Sequence, residues 1–237
     1  MNGAFSQLLR RCESRRRPHF ASKRMTSSFF PGRGLYVITD GPRPDLLEAV
    51  EQALAGGARL VQYRDKTHEP TRRQTEARAL LALCRKHTVP LVINDDIALA
   101  RIIGADGVHL GEADDSIAHA REALGLRAIV GVSCYDSLER AHEATRQGAS
   151  YIAFGAFYAS PTKPLARRAS IDLLRHSATL GIPRVAIGGI TPDNGALLVA
   201  AGADYLAVIS AVFGAPDIRI AAQHFTQLYS PDRAASP

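Results

Sequence analysis

No apolar run in this 237-residue sequence approaches the roughly 18–20 residues that a helix needs to cross a bilayer, so no membrane span is expected. Cysteines are few. The three, Cys12, Cys84 and Cys134, are an odd number without metal-ligand spacing, and a reducing cytoplasm is the economical reading. Cys84 falls on an apolar helix face and reads as core, whereas Cys134, just past a strand, has room to be exposed. A second histidine at metal-ligand spacing from His109 is also lacking, which favours His109 as a satisfied interior residue over a ligand.

Acidic residues are nearly missing from one end. Residues 1–33 hold eight basic side chains against Glu13 alone, while the remainder has 21 basic and 22 acidic residues. The net charge of +6 therefore belongs to a tail. That tail has no sustained apolar stretch of the secretory kind. Three readings stand for it: a disordered basic arm touching nucleic acid, a transit-peptide-like segment, or sequence upstream of a true start at Met25. The last fits best, because the periodic pattern begins only at Gly34. No aromatic-studded basic surface or reader motif accompanies the charge, so no nucleic-acid partner is expected. Residues 230–237 read as a frayed tail.

What the chain does contain is a repeat. Gly57-Ala58, Gly104-Ala105, Gly148-Ala149 and Gly202-Ala203 each follow a helix-like stretch and lead into a short apolar strand, at intervals of 47, 44 and 54 residues. Another strand fits inside each interval. The rhythm predicts an α/β fold of the (β/α)8 TIM-barrel class, one domain over residues 34–229. Expected strands are 34–39, 60–63, 91–93, one from 106 that ends at 109–111, 128–132, 151–154, 185–187 and 206–209. Expected helices include one from Asp45 with Leu46, Leu47, Val50 and Leu54 on its stripe, and one over 71–87 with Ala77, Leu80, Leu81 and Cys84.

Each strand end is polar in this sequence. The second delivers Gln62, Arg64 and Lys66, which point to one side at period two. The third delivers Asn94 and Asp95, the fourth is followed by Asp114, and the fifth delivers Ser133. The sixth opens the longest loop, with Ser160, Thr162 and Lys163; the seventh ends at Gly188-Gly189 and the eighth at Ile209-Ser210. Cations facing two carboxylates suit a polyphosphate carried on Mg²⁺, which takes one or two carboxylates and fills its other positions with water and phosphate oxygens. The glycine pair and the turn at Ser210 suit a second phosphate. Two phosphate sites suggest two phosphorylated small-molecule substrates.

Leu35-Tyr36-Val37-Ile38-Thr39-Asp40, Gln62-Tyr63-Arg64-Asp65-Lys66, Ile93-Asn94-Asp95, Gly107-Val108-His109-Leu110-Gly111, Gly131-Val132-Ser133, Ser160-Pro161-Thr162-Lys163 and Ala186-Ile187-Gly188-Gly189-Ile190 together resemble the motif series of the thiamine phosphate synthase family. The resemblance implies a Mg²⁺-dependent transferase that joins a pyrimidine diphosphate to a thiazole phosphate, releasing diphosphate by a dissociative route. It implies that Gln62, Arg64, Lys66, Asn94 and Lys163 hold the pyrimidine diphosphate, with Tyr63 and Asp65 inside the same motif. It further implies Asp95 and Asp114 as metal ligands, Ser133 at the pyrimidine, and Ser160, Pro161, Thr162, Gly189, Ile209 and Ser210 around the thiazole phosphate. Arg64, Lys66, Ser133 and Lys163 are the residues it implies for catalysis. A homo-oligomer is left open. Two departures stand out: the loop reads Ala159-Ser160-Pro161-Thr162-Lys163 where the family usually has Pro-Thr-x-Thr-Lys, and Tyr135 stands where a His is common.

Ordinary readings compete. Asp95 or Asp96, and Asp114 or Asp115, could cap the helices that begin there. Gly188 and Gly189 could serve only to turn the chain. Arg167 and Arg168 read as a solvated helix start. A thiazole tautomerase or regulatory relative on the same barrel should lack much of the diphosphate apparatus, and a binding module would work through the basic arm.

Overall fold

The computed structural model describes residues 32–112, 114–159 and 167–230. Eight parallel strands close on themselves: β1 (Gly34–Ile38), β2 (Ala58–Tyr63), β3 (Leu91–Asn94), β4 (Gly107–Leu110), β5 (Ile129–Tyr135), β6 (Tyr151–Phe154), β7 (Arg184–Ile187) and β8 (Tyr205–Val208). Closure is made where β1 pairs with β8, from Gly34 opposite Tyr205 to Val37 opposite Val208. Around the barrel lie α1 (Leu46–Ala55), α2 (Pro70–Lys86), α3 (Ile97–Ile103), α4 (Ile117–Leu124), α5 (Leu138–Arg146), α6 (Asp172–His176), α7 (Pro192–Ala200), α8 (Ser210–Phe213) and α9 (Ile218–Gln227). No helix among the described residues is long and apolar enough to cross a membrane.

The Gly-Ala repeat ends helices. All four glycines adopt left-handed backbone, with φ of 98, 68, 89 and 104°. In three copies the following alanine N–H reaches back five residues, Ala105 to Ala100, Ala149 to Ala144 and Ala203 to Leu198, each at 2.9 Å. That is the helix-terminating bond pattern glycine permits, and it aims the chain into β4, β6 and β8.

Strand alternation splits the buried side chains into two layers. Leu35, Val37, Val61, Tyr63 and Ile93 face the helices, whereas Tyr36, Ile38, Leu60, Val92, Tyr151, Val185 and Tyr205 fill the barrel interior. Both faces are buried, which accounts for the near-continuous apolar strands. Gly131 makes room for one interior ring: a Cβ there would lie 2.0 Å from Tyr151 Cζ. We expect Gly131→Ala to cost about 3 kcal/mol, read from urea unfolding, because a tyrosine held on both sides cannot yield that distance.

Several local expectations shift. The α1 stripe is Leu46, Ala49, Val50, Ala53 and Leu54, and Leu47 is 45% exposed, since it lies about 100° round the helix from Leu46. β5 runs on through Ser133 to Tyr135, which buries Cys134 completely. The segment 171–180 is α6 followed by a 3₁₀ turn at Ser177–Leu180, and the last crossover divides into one-turn α8 and α9.

Candidate active site

The C-terminal ends of the strands form one rim. Thr39 staples β1 to β2 there: its hydroxyl donates to the Arg64 carbonyl at 3.0 Å and accepts from the Arg64 N–H at 2.8 Å. This fixes the backbone that carries Arg64, itself half-buried, and the exposed Lys66. The intervening side chains turn away. Tyr63 donates to Glu76 of α2 at 2.7 Å, and the fully buried Asp65 carboxylate meets Arg72 of α2 at 2.7 Å and the Thr67 N–H at 2.8 Å. Gln62 thus turns into the barrel interior and Arg64 and Lys66 continue that face to the rim, while Tyr63 and Asp65 belong to the layer between barrel and helices.

β3 ends in a division of labour. Asp96 caps α3, accepting from the Leu99 N–H at 2.8 Å, and pairs with Arg73 at 3.0 Å. Asp95 stands in left-handed backbone, φ 62°, an allowed though uncommon state for Asp. Its carboxylate receives Lys66 Nζ, and Asn94 Nδ2 at 2.6 Å. α4 is capped by Ser116, whose hydroxyl accepts from the His119 N–H at 3.1 Å, and Asp115 is engaged by His119 at 3.0 Å. Asp114 is left to accept from the Gly111 N–H and to share a hydrogen bond with Asp95.

Electrostatics follow. Desolvation and the neighbouring Asp95 push Asp114 above the usual carboxylate range. Burial pushes Asp95 up as well, but the Asp114 hydrogen bond and Lys66 outweigh it and hold Asp95 below that range. Of the two, Asp114 takes up a proton the more readily as pH falls. Two neighbouring carboxylates are an oxygen donor set that suits a hard dication. Among the described residues no group of three or more His, Cys, Asp or Glu side chains could hold a metal, so further ligands would be water and substrate oxygens.

Below the rim lies a polar interior the sequence did not disclose. Gln62 Nε2 donates to Tyr36, the Tyr36 and Tyr151 hydroxyls are 2.8 Å apart, Tyr151 is 2.9 Å from His109 Nδ1, and His109 Nε2 is 2.9 Å from Ser133 Oγ. Burial pulls the His109 pKa down to about 4, so the ring is neutral at pH 7. A signal was present: inward tyrosines on β1 and β6 need partners for their hydroxyls.

At β7, Gly188 and Gly189 have φ of 105 and 63°, and Cβ atoms there would lie 2.4 Å from Ala156 Cβ and 2.4 Å from the Ala159 carbonyl. The pair turns the chain and also admits the loop after β6. Ile209 is half-buried and Ser210 exposed at the start of α8. Arg167 is not a helix start: it pairs with Glu112 at 2.7 Å and lies 4.8 Å over the Tyr135 ring. Ser160, Pro161, Thr162 and Lys163 lie outside the described residues.

The family pattern for thiamine monophosphate synthase matches residues 35–212, from β1 into α8. The chain belongs to that family. A thiamine-phosphate synthase from Thiobacillus denitrificans is 53% identical over 207 residues, spanning 86% of this chain and 97% of that protein. One from Methylococcus capsulatus is 50% identical over 211 residues, spanning 88% of this chain and 94% of that protein. The structure of a thiamine phosphate pyrophosphorylase from Pyrococcus furiosus superposes with a TM-score of 0.75 at 35% identity, covering 85% of this chain and 96% of that one. These curated relatives are thiamine-phosphate synthases, transferases by activity. Within this thiamine monophosphate synthase barrel, the matched segment includes the rim residues of β2, β3, β4, β5, β7 and β8.

Proposed function

We propose that this chain condenses 4-amino-2-methyl-5-(diphosphooxymethyl)pyrimidine with 4-methyl-5-(2-phosphooxyethyl)thiazole to give thiamine phosphate and diphosphate. The observation that carries this reading is the Lys66–Asp95–Asn94–Asp114 cluster at the barrel mouth, on a chain about half identical to thiamine-phosphate synthases. Arg64, Lys66 and Asn94 would bind the diphosphate, joined by Lys163 from the loop after β6. Asp95 and Asp114 would hold Mg²⁺, which when bound supplies Lewis-acid stabilisation of the leaving oxygens.

The reaction breaks the bond between the pyrimidine methylene and the diphosphate oxygen, and its electron pair leaves with diphosphate. The thiazole nitrogen lone pair then forms the new carbon–nitrogen bond. No proton is gained or lost in that exchange, so no general base is required. The chain's contribution is to orient the two substrates and to place fixed positive charge where negative charge develops. Ser133 and Gln62 would hold the pyrimidine ring; Gly189, Ile209, Ser210 and the Ser160–Thr162 segment would hold the thiazole phosphate.

The catalytic unit in this reading is residues 34–229, with 1–33 and 230–237 as extensions. A cytoplasmic setting suits it, because Cys84 and Cys134 are buried free thiols. Incubating the purified chain with both substrates and Mg²⁺ should produce thiamine phosphate. Folded protein that yields none overturns the reading. The same assay on a variant lacking residues 1–24 should give unchanged turnover, and loss of activity there would move the working part to the basic arm.

A further inference from the structure

Gly111 is where the end of β4 turns toward Asp114, and two demands meet there. A Cβ on it would lie 2.7 Å from Asp114 Oδ2 and 3.4 Å from the Tyr135 hydroxyl, so a larger residue would push the carboxylate off the Gly111 N–H. Glycine alone, however, leaves the backbone free to turn. The β4–β5 ladder gives no support, because its last pair is Leu110 opposite Val132. Two side chains take its place. The Arg140 guanidinium, from the first turn of α5, donates to the Gly111 carbonyl at 3.0 Å and to the Ser133 carbonyl at 2.7 Å. The Tyr135 hydroxyl accepts from the Glu112 N–H at 3.3 Å. That carbonyl of Gly111 and that N–H of Glu112 belong to one peptide group, which is therefore gripped at both edges.

Both grips are themselves anchored. Ser137 caps α5 by accepting from the Arg140 N–H at 3.1 Å, which fixes the root of that side chain. Its acceptors at the other end are backbone carbonyls, and the fixed fork of a guanidinium suits two of them at once. Tyr135 stands in left-handed backbone, φ 53°, uncommon for so bulky a residue. Its ring centre lies 5.9 Å from the Arg140 guanidinium and 4.8 Å from that of Arg167. We propose that Arg140 and Tyr135 are positioning residues: together they fix the Gly111–Glu112 peptide, and so hold Asp114 toward Asp95 and the β4 end beside Ser133. No ligand enters that statement. A consequence for Mg²⁺ rests on the function proposed above, where the two act on the ion only through the Asp114 carboxylate, as outer partners of a metal ligand do.

Amide hydrogen exchange on the full chain, read by NMR, is the direct test and needs neither substrate nor metal. The Gly111 N–H should exchange about tenfold faster in Arg140→Met than in wild type, while Val108 and Val130, deeper in β4 and β5, stay within about twofold. Tyr135→Phe removes one oxygen and keeps the ring, so it carries the same comparison should Arg140→Met fail to fold. Unchanged exchange at Gly111, or equal acceleration at all three amides, would overturn the grip; the second outcome would make these side chains general supports of the barrel. Titrating Mg²⁺ into the chain saturated with inorganic diphosphate gives a second measure. Arg140→Met should weaken Mg²⁺ binding about tenfold, while KM for the thiazole phosphate stays within about twofold. Unchanged Mg²⁺ affinity beside faster Gly111 exchange would overturn the link from the peptide to Asp114. A wild-type chain that binds no Mg²⁺ and makes no thiamine phosphate would instead overturn the proposed function, and leave the exchange result to decide the grip.

Discussion

Asn in place of Asp95 is expected to lower thiamine phosphate formation about a thousandfold with little change in stability. Asparagine tolerates the left-handed backbone at this position and keeps the side-chain shape, so the substitution isolates the charge. What is lost is the anionic end of the Lys66–Asp95–Asp114 set, which in the proposed reaction acts as diphosphate departs; removing one such electrostatic group costs about 10²–10³-fold in turnover. Asp96→Asn is the contrast. It keeps a competent cap on α3 and weakens the Arg73 contact, so about 1 kcal/mol of stability goes and turnover does not. Steady-state rates across a Mg²⁺ titration, with thermal unfolding of each variant, separate the two neighbours. Wild-type turnover in Asp95→Asn removes the metal assignment.

Arg72→Met should destabilise the barrel strongly, seen as a fall of about 10 °C in Tm. The reason is Asp65. Its side chain has no exposure and faces Arg72 at 2.7 Å. Burial pushes the Asp65 carboxyl up, but the Thr67 hydrogen bonds and Arg72 overcome this and hold it below its ordinary value. A carboxylate with a lowered folded pKa adds stability that is present at neutral pH and lost as pH falls through that value. Without Arg72 only the Thr67 hydrogen bonds oppose burial, so the folded-state pKa of Asp65 rises relative to that in the wild type. The stability gap between wild type and Arg72→Met should therefore be widest at pH 7 and narrow toward about pH 4. Urea unfolding at pH 7, 5 and 4 checks this, and a constant gap would show that Asp65 does not carry the effect.

The barrel was legible because its punctuation is local. Four glycines in left-handed backbone end four crossovers, and glycine before an apolar run is visible in any sequence. α4 had no expectation of its own; its only buried residues are Ile117 and Ala120, too few to make a stripe. The rim could be read for Gln62, Arg64 and Lys66 because strand alternation puts them on one side. The same alternation removes Tyr63 and Asp65, although a contiguous motif carries all five together. Asp95 and Asp96 are equivalent on paper. Only the backbone angle at Asp95 and the cap at Asp96 assign them different work. The tyrosine line was hidden for another reason. Tyr36 and Tyr151 are ordinary strand residues one at a time, and their meeting depends on the barrel closing across β1, β2, β4, β5 and β6.

Parallel strands give the barrel a front and a back, and both ends of its described chain come to the back. Arg33, one residue before β1, lies 5.6 Å from the ring of Tyr229, two residues past α9, and its guanidinium also donates to the Ala203 carbonyl at 3.1 Å. The substrate-facing rim is at the opposite pole. A carrier, a surface anchor or a second enzyme joined at either end would thus hang from the rear and leave the mouth open. The nearness of Arg33 and Tyr229 also makes the barrel a ring in practice: a short peptide could join the old ends and new ones be cut in a helix-to-strand connection at the back, with every rim residue kept in place.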